Sequence, residues 1–353
     1  MKILQQPLLL FILLFFGYAQ AEPYLAARTG HRCMACHVSP TGGGMRTEFG
    51  QIYGRSLAVD NNAQNPFDAK LSDNIKLGGD FRGGLQASQT PGETDQNSFQ
   101  TKRANIYIHA QLLENLTVYI DQQFSPANEN RTSWLMWQTT DREKYLRLGQ
   151  FYLPYGLRLE DDSAFIRQVS GINFATADNG VEFGWDKNNW SSQLAISNGT
   201  AGAAENNQEK QFSLRLAYIK PNWRLGSSFN QNEAATVRRE MFNIFATINY
   251  LDIEWLFEID QIKDRDDTTS ERLISFFEIN KEIVKGHNLK LSFEYDDPDT
   301  NINEDERTRN SIIWEYFPTA QIQLRSGFRD GEGIPQKADD NLNEFFVNLH
   351  AWF

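Results

Sequence analysis

The feature that most constrains this chain is the one-by-one alternation of apolar and polar residues in short stretches. In residues 344–353 the odd-numbered positions are all Phe, Val, Leu or Ala, whereas Glu344, Asn348 and His350 occupy even-numbered positions. Successive side chains of a β-strand point to opposite faces, so this pattern predicts a strand with one apolar and one polar surface. The same alternation recurs at 103–112, 212–218 and 289–295.

Composition decides what these strands build. The mean hydropathy is -0.54, and after residue 21 no stretch approaches the roughly 20 apolar residues of a membrane helix. Yet the chain contains 25 Phe, and aromatic residues make up 13% of it. A transmembrane β-barrel reconciles the two observations, because its apolar residues face lipid and its polar residues face the lumen. A water-soluble β-sandwich or a pair of soluble domains is the alternative.

The links between the alternating stretches favour the barrel. About sixteen such stretches follow Ile75, and their links alternate between short turns and long polar loops, as in barrels with short periplasmic turns and long outer loops. Short turns are expected at 113–115, 139–143, 186–189, 220–223, 249–252, 284–288 and 317–320, and long loops at 88–97, 125–132, 198–209, 263–271, 296–308 and 329–341. The predicted fold is all-β: a transmembrane antiparallel barrel of about sixteen strands over residues 71–353, ending on an aromatic residue.

Residues 1–21 predict export. Lys2 precedes an apolar run at 8–16, and Ala19-Gln20-Ala21 forms a small-residue cleavage site, which is the layout of a secretory signal peptide. The alternative is a membrane anchor, but the apolar run is too short to span a bilayer. An exported barrel is expected in the outer membrane of a Gram-negative cell, in contact with lipid. The net charge of -12 argues against nucleic acid as a partner.

Both cysteines of the chain lie in the motif Cys33-Met34-Ala35-Cys36-His37. Cys-x-x-Cys-His is the attachment sequence of c-type haem, in which two thiols bind the haem covalently and the histidine ligates iron. The alternatives are a redox dithiol, a structural disulfide and half of a zinc site. No βαβ pattern supports the first, a disulfide leaves His37 unexplained, and a zinc site needs more ligands than the neighbouring His31. The sequence therefore predicts one covalent haem c.

The sixth iron ligand is less constrained. Met45 follows His37 across Gly42–Gly44, and a flexible loop there would let its thioether fold over the iron. Other candidates are His31, the lumen-facing His109 and His350, and an open site holding water. The backbone near Pro40 is expected to offer a carbonyl to the second nitrogen of His37.

The haem-bearing segment is too small to bury a cofactor alone. Residues 22–70 approach the lower size limit for an independent core, and residues 59–74 have the composition of a linker. We therefore expect the segment inside the barrel or at its periplasmic mouth, where the lumen wall completes the pocket. The longest connection, Phe151 to Asn179, mixes aromatic and charged residues, and we expect it to fold inward and narrow the lumen. The alternative is an extracellular cap.

These motifs resemble a known family. The run from Tyr24 to Gly30, then Cys33, Cys36 and His37, then Phe49-Gly50, all ahead of a predicted barrel, is similar to the fused outer-membrane monohaem cytochrome c–porins of iron-oxidising bacteria. The resemblance is specific over 24–50 and architectural beyond it. It implies a small cytochrome that plugs a porin-type barrel and moves electrons between an extracellular donor and periplasmic carriers.

Three functions follow as hypotheses. The favoured one is an electron conduit whose partners are a periplasmic c-type cytochrome or other carrier and an extracellular redox ion or mineral. The second is a diffusion porin gated by the haem-bearing plug. The third is a haem enzyme, including Fe(II) oxidation, but no distal acid–base constellation is visible in the sequence. Acidic outer loops would attract cations such as ferrous iron, or are simply solvated. An oligomer is compatible with all three.

Overall fold

The computed structural model describes residues 22–60, 70–159, 161–205, 207–234, 237–266, 268–333 and 341–353. The predicted signal peptide and most of the predicted linker lie outside these residues. Over the described residues the chain forms a closed antiparallel barrel of sixteen strands, preceded by three short helices. The predicted fold is confirmed.

The helices and strands have the following bounds. The helices are α1 Pro23–Thr29, α2 Cys33–Cys36, α3 Glu48–Leu57 and, between the fifth and sixth strands, α4 Phe165–Gln168. The strands are β1 Ile75–Gln89, β2 Gln96–Leu113, β3 Leu116–Ser125, β4 Glu129–Gln138, β5 Lys144–Phe151, β6 Asp178–Lys187, β7 Trp190–Ser197, β8 Gln211–Lys220, β9 Trp223–Ala234, β10 Val237–Tyr250, β11 Ile253–Arg265, β12 Thr269–Val284, β13 His287–Asp297, β14 Arg307–Thr319, β15 Ile322–Glu332 and β16 Leu342–Trp352.

The barrel closes between its first and last strands. Each strand pairs with its neighbours in sequence, and β1 pairs antiparallel with β16, with Asp80 opposite Trp352. The terminal Phe353 continues this contact, since its N–H donates to the carbonyl of Gly79 at 3.1 Å. Closure pairs the backbone groups that an open sheet edge would leave exposed, which is a requirement inside a bilayer.

The two faces of the strands follow the predicted alternation. Outward-facing Leu148, Ile259 and Phe345 are 56%, 56% and 44% exposed, whereas the neighbouring Glu258 and Phe346 point inward and are almost fully buried. The outer surface is therefore an apolar band suited to lipid, and the lumen carries the charge. None of the helices in the described chain is long and apolar enough to cross a membrane.

The predicted turns are confirmed at one end of the barrel, which we call the short-turn end. At the other end the long connections predicted near 198–209 and 296–308 are confirmed, as 198–210 and 298–306, whereas two others were wrong: 126–128 alone connect β3 to β4, and 266–268 alone connect β11 to β12. The polar residues there continue the strands beyond the membrane. β12, for example, is 16 residues long, whereas a tilted strand spans the bilayer with about 9–11.

The N-terminal helices lie in the short-turn end. A Cβ atom on Gly30 would come within 2.6 Å of Pro221 in the β8–β9 turn. The guanidinium of Arg32 donates to the carbonyl of Asn188 in the β6–β7 turn at 2.7 Å. The N–H of Val59 donates to the carbonyl of Phe317 at 2.9 Å. The segment is thus held by turns from three parts of the barrel, as expected for a plug.

The connection between β5 and β6 folds into the lumen, and the prediction of an inward loop is confirmed. The N–H of Gly156 donates to Ser228 of β9 at 3.0 Å, and the N–H of Phe165 donates to Glu294 of β13 at 2.6 Å. Arg167, which is fully buried, pairs with Glu258 of β11 at 3.3 Å. Contacts with strands on different sides of the barrel exclude an extracellular cap. We call this connection the lumen loop.

Leu148→Arg tests which surface of the barrel faces lipid. Leu148 lies outward in the middle of β5, so a charge there should lower the free energy of unfolding in lipid vesicles by about 2–4 kcal/mol. Leu251→Arg, in the exposed β10–β11 turn, is the matched control and should change it by less than about 0.5 kcal/mol. Equal effects of the two substitutions in urea titrations would contradict the assigned outer surface.

Candidate cofactor site inside the barrel

Helix α1 anchors the plug in the lumen. It begins with Pro23 in the first turn and ends at Gly30, whose backbone is left-handed with φ 67°, a conformation that costs glycine little. Tyr24 and Arg28 are four residues apart and therefore lie on the same face of the helix. Both side chains point at acidic residues of the barrel wall.

The contacts of this face are ionic and buried. The hydroxyl of Tyr24 donates to Glu315 of β14 at 2.9 Å. Arg28 pairs with Glu254 of β11 at 2.8 Å and with Glu282 of β12 at 2.9 Å. Lys290 of β13 completes the cluster, because it pairs with Glu315 at 2.9 Å and lies over the ring of Tyr24. One helix of seven residues thus joins charges from four adjacent strands.

Helix α2 presents the two thiols. It is a single turn from Cys33 to Cys36, and the N–H of His37 donates to the carbonyl of Cys33 at 2.9 Å. Cys33 and Cys36 therefore lie on the same side, and both are free thiols that are partly buried. Burial raises the pKa of the Cys36 thiol. The His37 backbone is extended, which carries its side chain away from the helix axis.

A short hairpin follows the thiols and holds the imidazole. His37 and Arg46 form an antiparallel bridge, and the N–H of Val38 donates to the carbonyl of Met45 at 3.0 Å. The turn of the hairpin contains Gly42, Gly43 and Gly44, all with positive φ. A Cβ on Gly43 would meet the ring of Phe174 at 2.6 Å. The glycines therefore permit both the turn and its close approach to the lumen loop.

The thiols and the imidazole open into one cavity. Its volume is about 90 Å³, and Cys33, Cys36 and His37 all line it. The plug forms one wall, the lumen loop contributes Leu157 and Arg158, and strands β7 to β10 close the rest. The lumen wall completes the pocket, as expected from the size of the plug.

Met45 lies outside this cavity. Cross-strand partners share a face of a hairpin while successive residues alternate, so Arg46 lies on the side of His37 and Met45 points to the other side. Arg46 lines the cavity. Met45 is buried near Gly78 of β1, and its N–H donates to the hydroxyl oxygen of Tyr119 at 2.9 Å. Met45 therefore does not line the cavity of the thiols, and its role as the sixth iron ligand stays a prediction.

The other candidate ligands are distributed around the barrel. His31 lines the cavity, and its ring contacts Phe49 edge-on at 5.0 Å. His109 lines a second opening at the short-turn end, which His37, Met45 and Arg46 also line. His350 of β16 contacts Asp80 of β1 at 2.5 Å, where these two strands pair to close the barrel. Of the histidines proposed as sixth ligands, His31 is thus the one beside the thiols.

The surroundings of His37 favour a neutral imidazole. Burial, reinforced by Arg46, lowers the pKa of His37 to about 3, against opposing contacts with the backbone of Gly43 and Gly44. The neutral form is the one that binds a metal ion. Nδ1 of His37 is buried, and the imidazole contacts the backbone of Gly43 and Gly44 in the turn of the hairpin; a carbonyl nearer Pro40 stays a prediction.

The residues present fit a covalent haem. Two thiols one helical turn apart, a neutral imidazole and a largely apolar cavity meet at one site. The cavity is also cationic, since Arg46, Arg158, Arg215 and Arg224 line it. Burial and the neighbouring Arg167 lower the pKa of Arg158 to about 9. This charge distribution suits a ligand that carries acidic groups.

The acidic residues of the outer loops are partly neutralised. Asp264 pairs with Arg239 at 2.7 Å, and Asp296 pairs with Arg272 and Arg307 at 2.5 and 2.7 Å. Among the described residues no group of three or more His, Cys, Asp or Glu side chains is arranged to hold a metal ion.

Sequence reasoning missed the partners of the plug. Tyr24 and Arg28 were noticed as part of a run, but Glu254, Glu282 and Glu315 lie more than 200 positions away and only the closed barrel brings them together. The sequence contained one hint of these contacts: β11, β12 and β14 each place an acidic residue at an inward position close to a short turn. Arg158 was expected to line the lumen, and the structure adds that it faces the thiols' cavity.

Comparisons with known proteins extend to the fold. No protein family model matches the chain, and no curated protein is similar in sequence. Among solved structures, an anion-selective porin from Comamonas acidovorans is similar with a TM-score of 0.64 and 11% identity, covering 79% of this chain and 99% of that one. OmpT of Vibrio cholerae, expressed in the outer membrane, has a TM-score of 0.62 and 12% identity, and the match covers 81% of this chain and 100% of that one. A trimer form of OmpT from the same organism has a TM-score of 0.59 and 11% identity, and the match covers 79% of this chain and 99% of that one.

Arg28→Gln tests the anchor of the plug. The substitution leaves Glu254, which is 1% exposed, without its cation, and removing one partner of a buried pair costs about 3–5 kcal/mol. We expect protease cleavage within residues 22–60 of the folded barrel to accelerate strongly. Arg55→Gln, on the exposed face of α3, is the matched control and should cleave like the unmodified chain. Equal cleavage rates for all three chains would show that Arg28 does not hold the plug.

Gly50→Ala tests the packing of α3 on the thiol helix. A Cβ on Gly50 would lie 2.2 Å from the carbonyl oxygen of Cys36, whereas one on Gly54 would meet only the flexible end of Arg46 at 3.0 Å. Overpacking at Gly50 should cost about 1–3 kcal/mol and speed the reaction of Cys33 and Cys36 with a thiol reagent in protein refolded without cofactor. Gly54→Ala should leave that rate unchanged. The reverse order of rates would refute the packing.

Proposed function

We propose that this chain is an outer-membrane electron-transfer protein that carries one covalent haem c inside its barrel. The observation that carries the proposal is the common cavity of Cys33, Cys36 and His37, closed by the lumen wall. Location in the outer membrane is supported by the apolar outer band and by the likeness in fold to outer-membrane porins.

The residues of the plug have distinct roles in this proposal. Cys33 and Cys36 would hold the haem, each through a thioether bond, and His37 would supply a nitrogen ligand to its iron. When bound, the haem supplies a one-electron iron couple. The apolar part of the cavity keeps water from the site, which favours a defined reduction potential.

The barrel positions the plug between two aqueous compartments. Tyr24 and Arg28 fix it to the wall at the short-turn end, which is the periplasmic end in barrels of this kind. A periplasmic c-type cytochrome or another carrier would exchange electrons there. On the other side the partner would be an extracellular redox ion or a mineral. A trimer is compatible with the proposal, as one of the similar barrels has a trimer form.

A diffusion porin gated by the plug is the second candidate. It is favoured by the likeness in fold to an anion-selective porin and by the arginines that line the cavity. In this candidate the plug moves to admit solutes. The ion pair between Arg28 of α1 and Glu254 opposes that movement, since opening would leave Glu254 without its cation.

The first test is the covalent mass of the mature protein. We expect chains purified from the outer membrane to carry one haem that survives denaturation, and Cys33→Ala with Cys36→Ala to carry none. Met45→Leu conserves volume at a residue outside the cavity, so it should keep the haem and its absorption spectrum. Unmodified protein without covalent haem would overturn the proposal.

The second test separates conduit from porin. In liposomes that enclose an electron acceptor, a membrane-impermeant external reductant should reduce the acceptor with the unmodified chain and not with the double cysteine variant. Neither chain should release an enclosed sugar. Sugar release by the unmodified chain, without reduction of a trapped protein acceptor, would instead favour the diffusion porin.

A further inference from the structure

The guanidinium of Arg158 is buried and has no hydrogen-bond partner among the described residues. It lies in the lumen loop and lines the cavity of Cys33, Cys36 and His37. Leaving a buried charge unpaired costs several kcal/mol, so buried arginines are normally paired with an anion.

The guanidinium is nevertheless held in a defined place. It lies 4.9 Å from the ring centre of Phe174 and 5.3 Å from that of Tyr152. These two rings pack edge to face at 5.0 Å, and Phe174 also contacts the turn of the plug hairpin at Gly43. Stacking fixes the plane of an arginine while leaving its N–H groups free for a bidentate ligand. The guanidinium is therefore positioned before a ligand binds.

The other arginines of the cavity are already engaged. Arg215 donates to the carbonyl of Gly156 at 3.0 Å and lies over Phe245. Arg224 donates to the carbonyls of Ala26 and His31 at 3.0 and 2.8 Å. Arg46 lies 4.1 Å from the ring centre of Trp352. The guanidinium nitrogens of Arg158, unlike those of Arg215 and Arg224, donate to no described residue.

We propose that Arg158 receives a carboxylate of the cofactor, namely a propionate of the haem attached at Cys33 and Cys36. This assignment rests on the proposed function, since it requires the haem. A planar guanidinium with parallel N–H groups matches a carboxylate. The contact would join the cofactor on the plug to the lumen loop. The haem would then be held both by its thioether bonds to the plug and by its propionate on Arg158.

Arg158→Gln tests the assignment in the full-length, haem-loaded protein. Loss of a buried cation beside the cofactor favours the oxidised iron, so the midpoint potential should fall. The freed propionate should titrate at higher pH, which makes the potential depend on pH over the range of about 5–8. The resonance Raman band of propionate bending should shift. Arg158→Lys keeps the charge and should restore most of the potential but not the bidentate Raman signature.

Arg55→Gln is the control, because it removes the same group from an exposed position outside the cavity; its potential and Raman band should match those of the unmodified protein. Covalent haem with an unchanged potential and propionate band in Arg158→Gln would overturn this inference and leave the proposed function standing. Absence of covalent haem from the unmodified protein would overturn both.

Discussion

A closed sheet of this many strands encloses a lumen wider than its own inward side chains can fill. The space must hold water or additional chain. Here it holds chain from two sources, the N-terminal plug and the lumen loop, and the inward carboxylates of the wall meet the cations of both. Ion pairs join the barrel wall to the chain inside it: Arg28 pairs with Glu254 and Glu282, and Arg167 pairs with Glu258.

The same constraint explains how so short an N-terminal segment is held in place. Helices of seven and four residues are not stable alone, and the plug lacks enough residues to surround a porphyrin-sized ligand. The barrel supplies the missing walls through strands β7 to β10, and the lumen loop supplies Leu157, Arg158 and Phe174. In return the plug neutralises buried wall charges. Each part supplies what the other lacks, which favours their fusion in a single chain.

Local patterns were sufficient to predict much of this. Alternation along each strand, the turn residues and the Cys33–His37 spacing are properties of adjacent residues, so the strands, the short turns and the thiol placement could be predicted. The remaining features required information from elsewhere. The bridge between His37 and Arg46 sets the face of the hairpin on which Met45 lies, and the role of Met45 as an iron ligand stays a prediction. The partners of Tyr24 and Arg28 depend on closure of the entire sheet.

The central claim is that the wall of the barrel stabilises the plug, and amide hydrogen exchange measures this directly. In the full-length protein in a membrane mimetic, the account predicts that the amides of α1 and α2 exchange as slowly as those of the neighbouring strands. A helix of this length that is not held in place opens and exchanges within the shortest labelling time. Rapid exchange in α1 beside protected β11 and β14 would contradict the account.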